Sequence, residues 1–418
     1  MSSWADDVWN RLASDRVAIS ASAPGKVLVA GGYLVLDSRY SGLVIAVNAR
    51  FTAKVALLEP NSSLIEKLPG NEPRVFLIAP QYSEQLLISS LSFKTTPISL
   101  AFAPRCNSFI EQTVIYVLAV ARLCIPNLAS FLGAGVVIYT KADEAFYSEI
   151  GSDGVARAKS GLGSSAALVS SVTAALLALF DIHDMQLCYR TAQLAHCAAQ
   201  GKVGSGFDVS SAFFGSQIYR RFNENTIAPY LNLQRPFPKP LLTFIQDDEA
   251  WYRQHVPIVF PEGLGIVLGD VRQGSQTPGM VKRVLQWRQT QRSDCWDELG
   301  HLNDEFAATL NDLQEFSVSS LEAASQVFIE IRRKLRDMGI ASGVEIEPSS
   351  QEELLDATMN EKGVVCAGVP GAGGFDAVFA IYVGGDSTRH RIQRLWKFRN
   401  IAFIEIEQDS SGIIVTKV

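Results

Sequence analysis

The chain has 418 residues, 47% hydrophobic and 19% charged, a balance that excludes a mainly disordered polymer. At roughly 100–200 residues per domain the length suggests two domains or three. With 37 basic against 43 acidic residues the net charge is −6, which argues against a nucleic-acid partner.

The amphipathic start of the chain predicts a short helix over residues 2–14. Residues 17–23 and 26–30 read as two strands around the Pro24-Gly25 break, and 43–58 as one long strand or a bent pair. Residues 74–79 and 85–93 suggest a hairpin, 106–123 a helix and 136–141 a strand. A loop over 155–163 then leads into a helix over 165–180, apolar nearly all round and so expected at the centre of the core. A second helix over 184–200 has Asp184 as its N-cap.

Pro229, Pro236 and Pro238 mark a change of composition, and the chain is divided there into domains 1–228 and 229–418. Beyond it, strands are expected at 241–245, 264–271, 364–367, 377–382, 403–407 and 412–417, and helices at 275–290, 294–315, 319–338 and 349–361. This pattern is α+β rather than a regular βαβ series.

The longest apolar run, 166–180, is fifteen residues and too short to span a bilayer. The polar N-terminus is no secretory signal, and the C-terminal Thr416-Lys417-Val418 matches no prenyl or peroxisomal signal. Of six cysteines the nearest two, Cys188 and Cys197, are nine apart, which fits reduced core residues better than zinc ligands. The expectation is a cytoplasmic protein with no membrane or nucleic-acid partner, a monomer or homodimer.

The most informative stretch is KSGLGSSAA at 159–167. Two glycines let a backbone approach a ligand, two hydroxyls follow, and a helix begins whose free N–H groups and dipole favour a phosphate. A glycine turn with a serine N-cap would look the same in isolation. GxxxxGK[ST] is absent. Gly161-x-Gly163-x-x-Ala166 matches the dinucleotide fingerprint, with Asp181 twenty residues on, but no buried strand is read before Gly161 and none ends at Asp181.

Three further motifs flank this loop: SAPGKVLVAGGYLVLD (22–37), GKVGSGFD (201–208) and GVPGAGGFD (368–376). Taken singly, Lys26 reads as a solvated lysine, Asp208 as a helix N-cap and the third motif as a tight turn. Together and in this order they resemble the GHMP kinase superfamily, most of all the fungal and other eukaryotic-type phosphomevalonate kinases. FYS at 146–148 and GDVRQGSQT at 269–277 add to the likeness, which spans residues 20 to 380.

The resemblance implies an N-terminal domain like ribosomal S5 domain 2, with a left-handed βαβ unit, and a ferredoxin-like C-terminal domain, with ATP in the cleft between them. It implies transfer of phosphate from ATP to 5-phosphomevalonate, in isoprenoid and sterol biosynthesis, with Mg²⁺. Mevalonate or another small alcohol is the alternative acceptor, and a non-catalytic ligand-binding regulator the alternative class.

Carried onto this sequence, the resemblance makes Lys26 and Asp208 the catalytic pair. Lys159, Gly161, Leu162, Gly163, Ser164, Ser165 and Ala166 would bind ATP, with Ser164 on the metal. Lys26, Ser148, Lys202, Ser275, Gln276, Gly371, Ala372 and Gly373 would border the acceptor. Mevalonate kinases carry a metal-binding Glu about eleven residues before the motif Asp, where this chain has Cys197, flanked by His196. Imidazole is a poor Mg²⁺ ligand, so His196 is expected to be a packed structural residue and Cys197 a small core one.

Overall fold

The computed structural model describes residues 3–418 apart from 59–71, 83–84, 94–97, 101, 103–105, 152–155, 252–253, 272–276, 291–293, 312 and 314–316. The first helix, α1 (Ser3–Leu12), lays Ala5 and Leu12 on the sheet and sets Trp9 edge-on to Tyr139. Two long strands follow, β1 (Ala13–Ala30) and β2 (Gly42–Leu58), antiparallel along nearly their whole length. Pro24 does not break β1. The register only slips between Pro24 and Gly25, because proline's missing N–H is tolerated at a bulge.

The sheet continues through β3 (Arg74–Ile78), β4 (Leu87–Ser92), β5 (Ser99–Leu100) and β6 (Gly135–Ala142). The strands β3 and β4 form the expected antiparallel pair, while β6 runs parallel to β3 after the crossover helix α2 (Ser108–Cys124). Next come a hairpin of β7 (Tyr147–Ile150) and β8 (Ala156–Lys159), the central helix α3 (Ser164–Leu179), α4 (Met185–Gln200), α5 (Phe207–Phe214) and β9 (Gln217–Arg220). In α3 all residues but Ser165 and Ala178 are buried, as its all-round apolar sequence predicts. Full burial of a Leu or Val side chain is worth roughly 1.5–3 kcal/mol, so Leu168, Val169, Val172, Leu176 and Leu177 hold this helix firmly between β1, β2 and α2. Asp184 caps α4, accepting from the Gln186 and Leu187 amides at 2.8 and 3.1 Å.

The expected division at residue 228 is crossed by two strands. After the short helix Leu241–Ile245, β10 (Gln254–Pro257) pairs with β9, and the last strand of the chain returns to β1. Between them lies a second, antiparallel sheet of β11 (Leu264–Asp270), β12 (Val364–Gly368), β13 (Ala377–Val383) and β14 (Ala402–Ile406), in the order β12-β13-β11-β14. Helices α6 (Thr277–Thr290), α7 (Cys295–Asn311), α8 (Val318–Ser342) and α9 (Ser349–Met359) lie between β11 and β12 in sequence, and α10 (Gly385–Phe398) between β13 and β14. This is the ferredoxin-like strand order. The returning strand is β15 (Ile414–Lys417).

Three further readings are corrected. Residues 156–159 form β8 rather than loop, because Tyr147–Ile150 gives them an antiparallel partner. Leu241–Ile245 is one helical turn entered from Pro240, since a five-residue apolar run fits either state and the buried Arg190 guanidinium takes the Ile245 carbonyl at 2.7 Å. Helix α10 went unread because its sequence is mostly polar, burying only Thr388, Ile392 and Trp396. Among the described residues no helix is long and apolar enough to cross a membrane.

Candidate active site

The bulge at Pro24-Gly25 is where the glycine loop of residues 160–163 docks. The Lys26 amide donates to the Leu162 carbonyl at 2.8 Å, and a Cβ on Gly25 would stand 3.1 Å from that same oxygen. Gly161 and Gly163 have φ of +85° and +79°, and Gly163 caps α3, so the loop turns sharply and presents the helix start. The Lys26 side chain runs across Gly163, whose added Cβ would lie 2.9 Å from Cε, and its ammonium donates to the Gly161 carbonyl at 2.8 Å. Burial lowers the Lys26 pKa below its ordinary value, against the opposing pull of Asp208. The ring of Phe207, next to Asp208, lies 5.7 Å from the ammonium.

Leu162 and Ala166 are buried and anchor the loop. Ser164 is buried too, and its Oγ has no hydrogen-bond partner among the described residues. Ser165 is partly exposed and faces His196, with its Oγ 3.2 Å from Nε2. Lys159 ends β8 and is exposed. Asp208 lies in the first turn of α5, where Oδ1 accepts from the Val209 amide at 2.9 Å and Oδ2 stands 3.8 Å from His196 Nε2.

The third glycine motif closes on the first. The Gly371 amide donates to the Leu28 carbonyl at 3.1 Å, and a Cβ on Gly32 would sit only 2.1 Å from the Gly371 carbonyl oxygen. The Tyr33 hydroxyl donates to the Ala372 carbonyl at 2.7 Å. The far side of the motif rests on Ile346, whose carbonyl takes the Gly374 amide at 2.8 Å and leaves no room for a side chain at Gly373. Tyr33 escaped the sequence reading, although the two glycines before it signal a close approach.

The residues expected on the acceptor side are less tightly gathered. Ser148 falls where the β7–β8 register slips, so it has no partner across the hairpin. Lys202 is exposed and lines a cleft of about 910 Å³ that also takes in Arg39, Arg221, Lys282 and Arg288. Buried Arg221 forms the wall between this cleft and the second glycine loop, donating to the Leu36 and Gly204 carbonyls at 2.5 and 2.9 Å. Ser275 and Gln276 lie outside the described residues.

The dinucleotide alternative fails on topology. A strand does precede Gly161, but β8 is half of an isolated antiparallel hairpin and not a member of a parallel sheet. Cys197 is fully buried with its thiol pKa raised by burial, as a core residue should be.

Residues 117–216 match the family described as GHMP kinases N terminal domain. A phosphomevalonate kinase of Gibberella zeae is 34% identical over 90% of both chains, and the peroxisomal phosphomevalonate kinase of Arabidopsis thaliana is 31% identical over 95% of this chain and 96% of its own. The chain belongs to the GHMP kinases, among the phosphomevalonate kinases. Among solved structures, the phosphomevalonate kinase of Streptococcus pneumoniae in complex with phosphomevalonate and AMPPNP superposes on this GHMP kinase with a TM-score of 0.66. That match has 15% identity and covers 93% of this chain and 99% of that one. A Listeria innocua protein reaches a TM-score of 0.69 at 21% identity, covering 96% and 99%. These two likenesses carry the GHMP kinase fold.

Proposed function

We propose that this chain transfers the γ-phosphoryl group of ATP to 5-phosphomevalonate, giving ADP and 5-diphosphomevalonate in isoprenoid and sterol biosynthesis. The observation that carries the site reading is the seating of Lys26 on the phosphate loop, with Asp208 alongside. The bond from the γ-phosphorus to the bridging oxygen of ADP breaks as one forms to an oxygen of the acceptor phosphate. A phosphate monoester has a second pKa of about 6, so the acceptor is largely dianionic at neutral pH and already a nucleophile. The protein's task is to hold two anions together and offset their charge.

Lys26 is assigned to bridge the acceptor and γ-phosphate oxygens. Asp208 orients Lys26 and does not need to take a proton. Lys159, Gly161, Leu162, Gly163, Ser164, Ser165 and Ala166 form the ATP phosphate cradle. Ser148, Lys202, Ser275 and Gln276 are assigned to the acceptor, with Gly371, Ala372 and Gly373 as its backbone border.

The orphaned, buried Oγ of Ser164 fits a Mg²⁺ ligand, since this ion takes oxygen donors and fills its shell with phosphate and water. Bound there, the ion would offset charge on the nucleotide phosphates. The domains are drawn at residue 228, with β10 and β15 lent back to the first. The described residues of the proposed site gather within one chain, which fits a monomer or a homodimer without a shared site. None of the six cysteines, all of them among the described residues, is in a disulfide, which favours the reducing cytoplasm.

The test is ADP release with Mg-ATP, comparing 5-phosphomevalonate with mevalonate. A preference of roughly a hundredfold or more for the phosphorylated acceptor is expected, because cations left facing no phosphate disfavour the alcohol. Turnover of mevalonate alone overturns the acceptor assignment. ATP binding without turnover of either favours the regulator. Retained activity in Lys26→Met and Asp208→Asn overturns the site assignment.

A further inference from the structure

His196 is the buried polar group in the site that the transfer chemistry leaves without a task. It is 1% exposed, and its ring lies against Phe109 with centroids 5.2 Å apart. One ring atom, Nε2, faces three side chains on three elements or turns: Ser165 Oγ at 3.2 Å, Gln200 Nε2 at 3.4 Å and Asp208 Oδ2 at 3.8 Å. Ser165 opens the central helix from the phosphate loop, and Asp208 opens α5 from the second glycine loop.

We propose that His196 is a positioning residue for phosphoryl transfer, tying the Ser165 hydroxyl of the phosphate loop to the Asp208 carboxylate of the acidic loop. The inference rests on the site proposed above. A carboxylate only accepts, so the link needs the proton on Nε2: the Ser165 hydroxyl accepts from that N–H at 3.2 Å, and the Asp208 carboxylate, 3.8 Å away, is held by electrostatic attraction to the same group. Gln200, one turn along α4, brings its side-chain amide to 3.4 Å from the same nitrogen. The ring cannot swing away, because Phe109 packs on its face. A shift in His196 therefore moves the ATP cradle relative to the residue that orients Lys26. Misplacement on the scale of an ångström costs phosphoryl transfer far more than it costs binding.

The experiment compares His196→Leu, which keeps volume and loses the polar atom, with His196→Gln, whose amide reaches the place of Nε2 and both donates and accepts. For His196→Leu we expect kcat to fall about 10- to 100-fold while the KM values for ATP and acceptor change less than about threefold. His196→Gln should recover to within about threefold of the unaltered enzyme, a rescue that a purely space-filling role would not give. Adding Ser165→Ala to His196→Leu should cost much less than Ser165→Ala alone, since the two act as a unit.

A kcat for His196→Leu within about twofold of the parent, a folded His196→Gln as slow as His196→Leu, or strictly additive losses would each overturn the proposal. If His196→Leu does not fold, His196→Gln and the shorter His196→Asn decide it: equal kcat in those two overturns it. Loss of activity in Lys26→Met and Asp208→Asn with no loss in His196→Leu sinks this inference alone. Retained activity in the first two sinks the site reading instead.

Discussion

The ammonium of Lys26 rests on the carbonyl oxygen of Gly161, 135 residues away in sequence and 2.8 Å away in space. That contact joins the first motif to the second and, in the proposed site, stations a cation beside the nucleotide phosphates. Lys26→Met should keep the fold, because the Lys26 amide still bonds the Leu162 carbonyl and the side chain is of similar length. The expected result is a loss of about 10²–10³ in kcat with thermal stability little changed, read by steady-state kinetics and a melting curve.

The same lysine gives a pH signature. Its pKa lies below the ordinary lysine value of 10.5 through burial. The cation is the working form, so kcat/KM should decline as pH rises through that lowered pKa, before an ordinary lysine would titrate. A flat profile to pH 10.5 would contradict the assignment of Lys26.

Gly163 sits at φ +79° under the lysine stem, with 2.9 Å from an added Cβ to Cε. Gly163→Ala should cost about 1 kcal/mol of stability from the left-handed backbone. Its larger effect should fall on kcat, because the methyl displaces the lysine. Gly161→Ala, with the same sign of φ and open space at its Cβ, should pay the backbone cost with a smaller loss of activity.

Asp208 separates two chemistries. If it orients Lys26 and takes no proton, the acid limb of kcat/KM should follow the acceptor's second ionisation, near pH 6. Asp208→Asn should then lower the plateau and leave that limb in place. Should the limb vanish in Asp208→Asn, the aspartate is a base.

Glu347 is completely buried between Arg332 and Arg336, with oxygen to nitrogen distances of 2.6 and 2.7 Å. Removing one member of a buried ion pair typically costs about 3–5 kcal/mol. Glu347→Leu should therefore lower the melting temperature sharply. Because Ile346 next to it holds the Gly373-Gly374 turn, activity should fall below melting as well. The double variant Arg332→Met with Glu347→Leu should be milder in stability than Glu347→Leu alone.

Much of the site was legible in the sequence, for a physical reason. Gly32 stands where two backbones nearly touch, and Gly161, Gly163 and Gly371 turn with positive φ, a conformation glycine adopts without cost from a side chain. The central helix was legible because it is apolar all round. His196 was legible only as a packed histidine, since no spacing rule says that α4 brings it between Ser165 and Asp208. Tyr33 hid behind its own aromatic character, which reads as core. Residues 156–159 hid because a short polar strand is defined by its partner and carries no periodicity of its own. For residues 241–245 the length of the apolar run was too short for either period to win.

The return of β15 to β1 and of β10 to β9 has a consequence for how the molecule is made. A ribosome that has released only the first 228 residues has delivered a sheet still missing two strands. Residue 19 waits for its partner at 417. The halves are thus laced rather than strung in series, and a cut at the proline-rich segment should yield two insoluble fragments in place of two working modules.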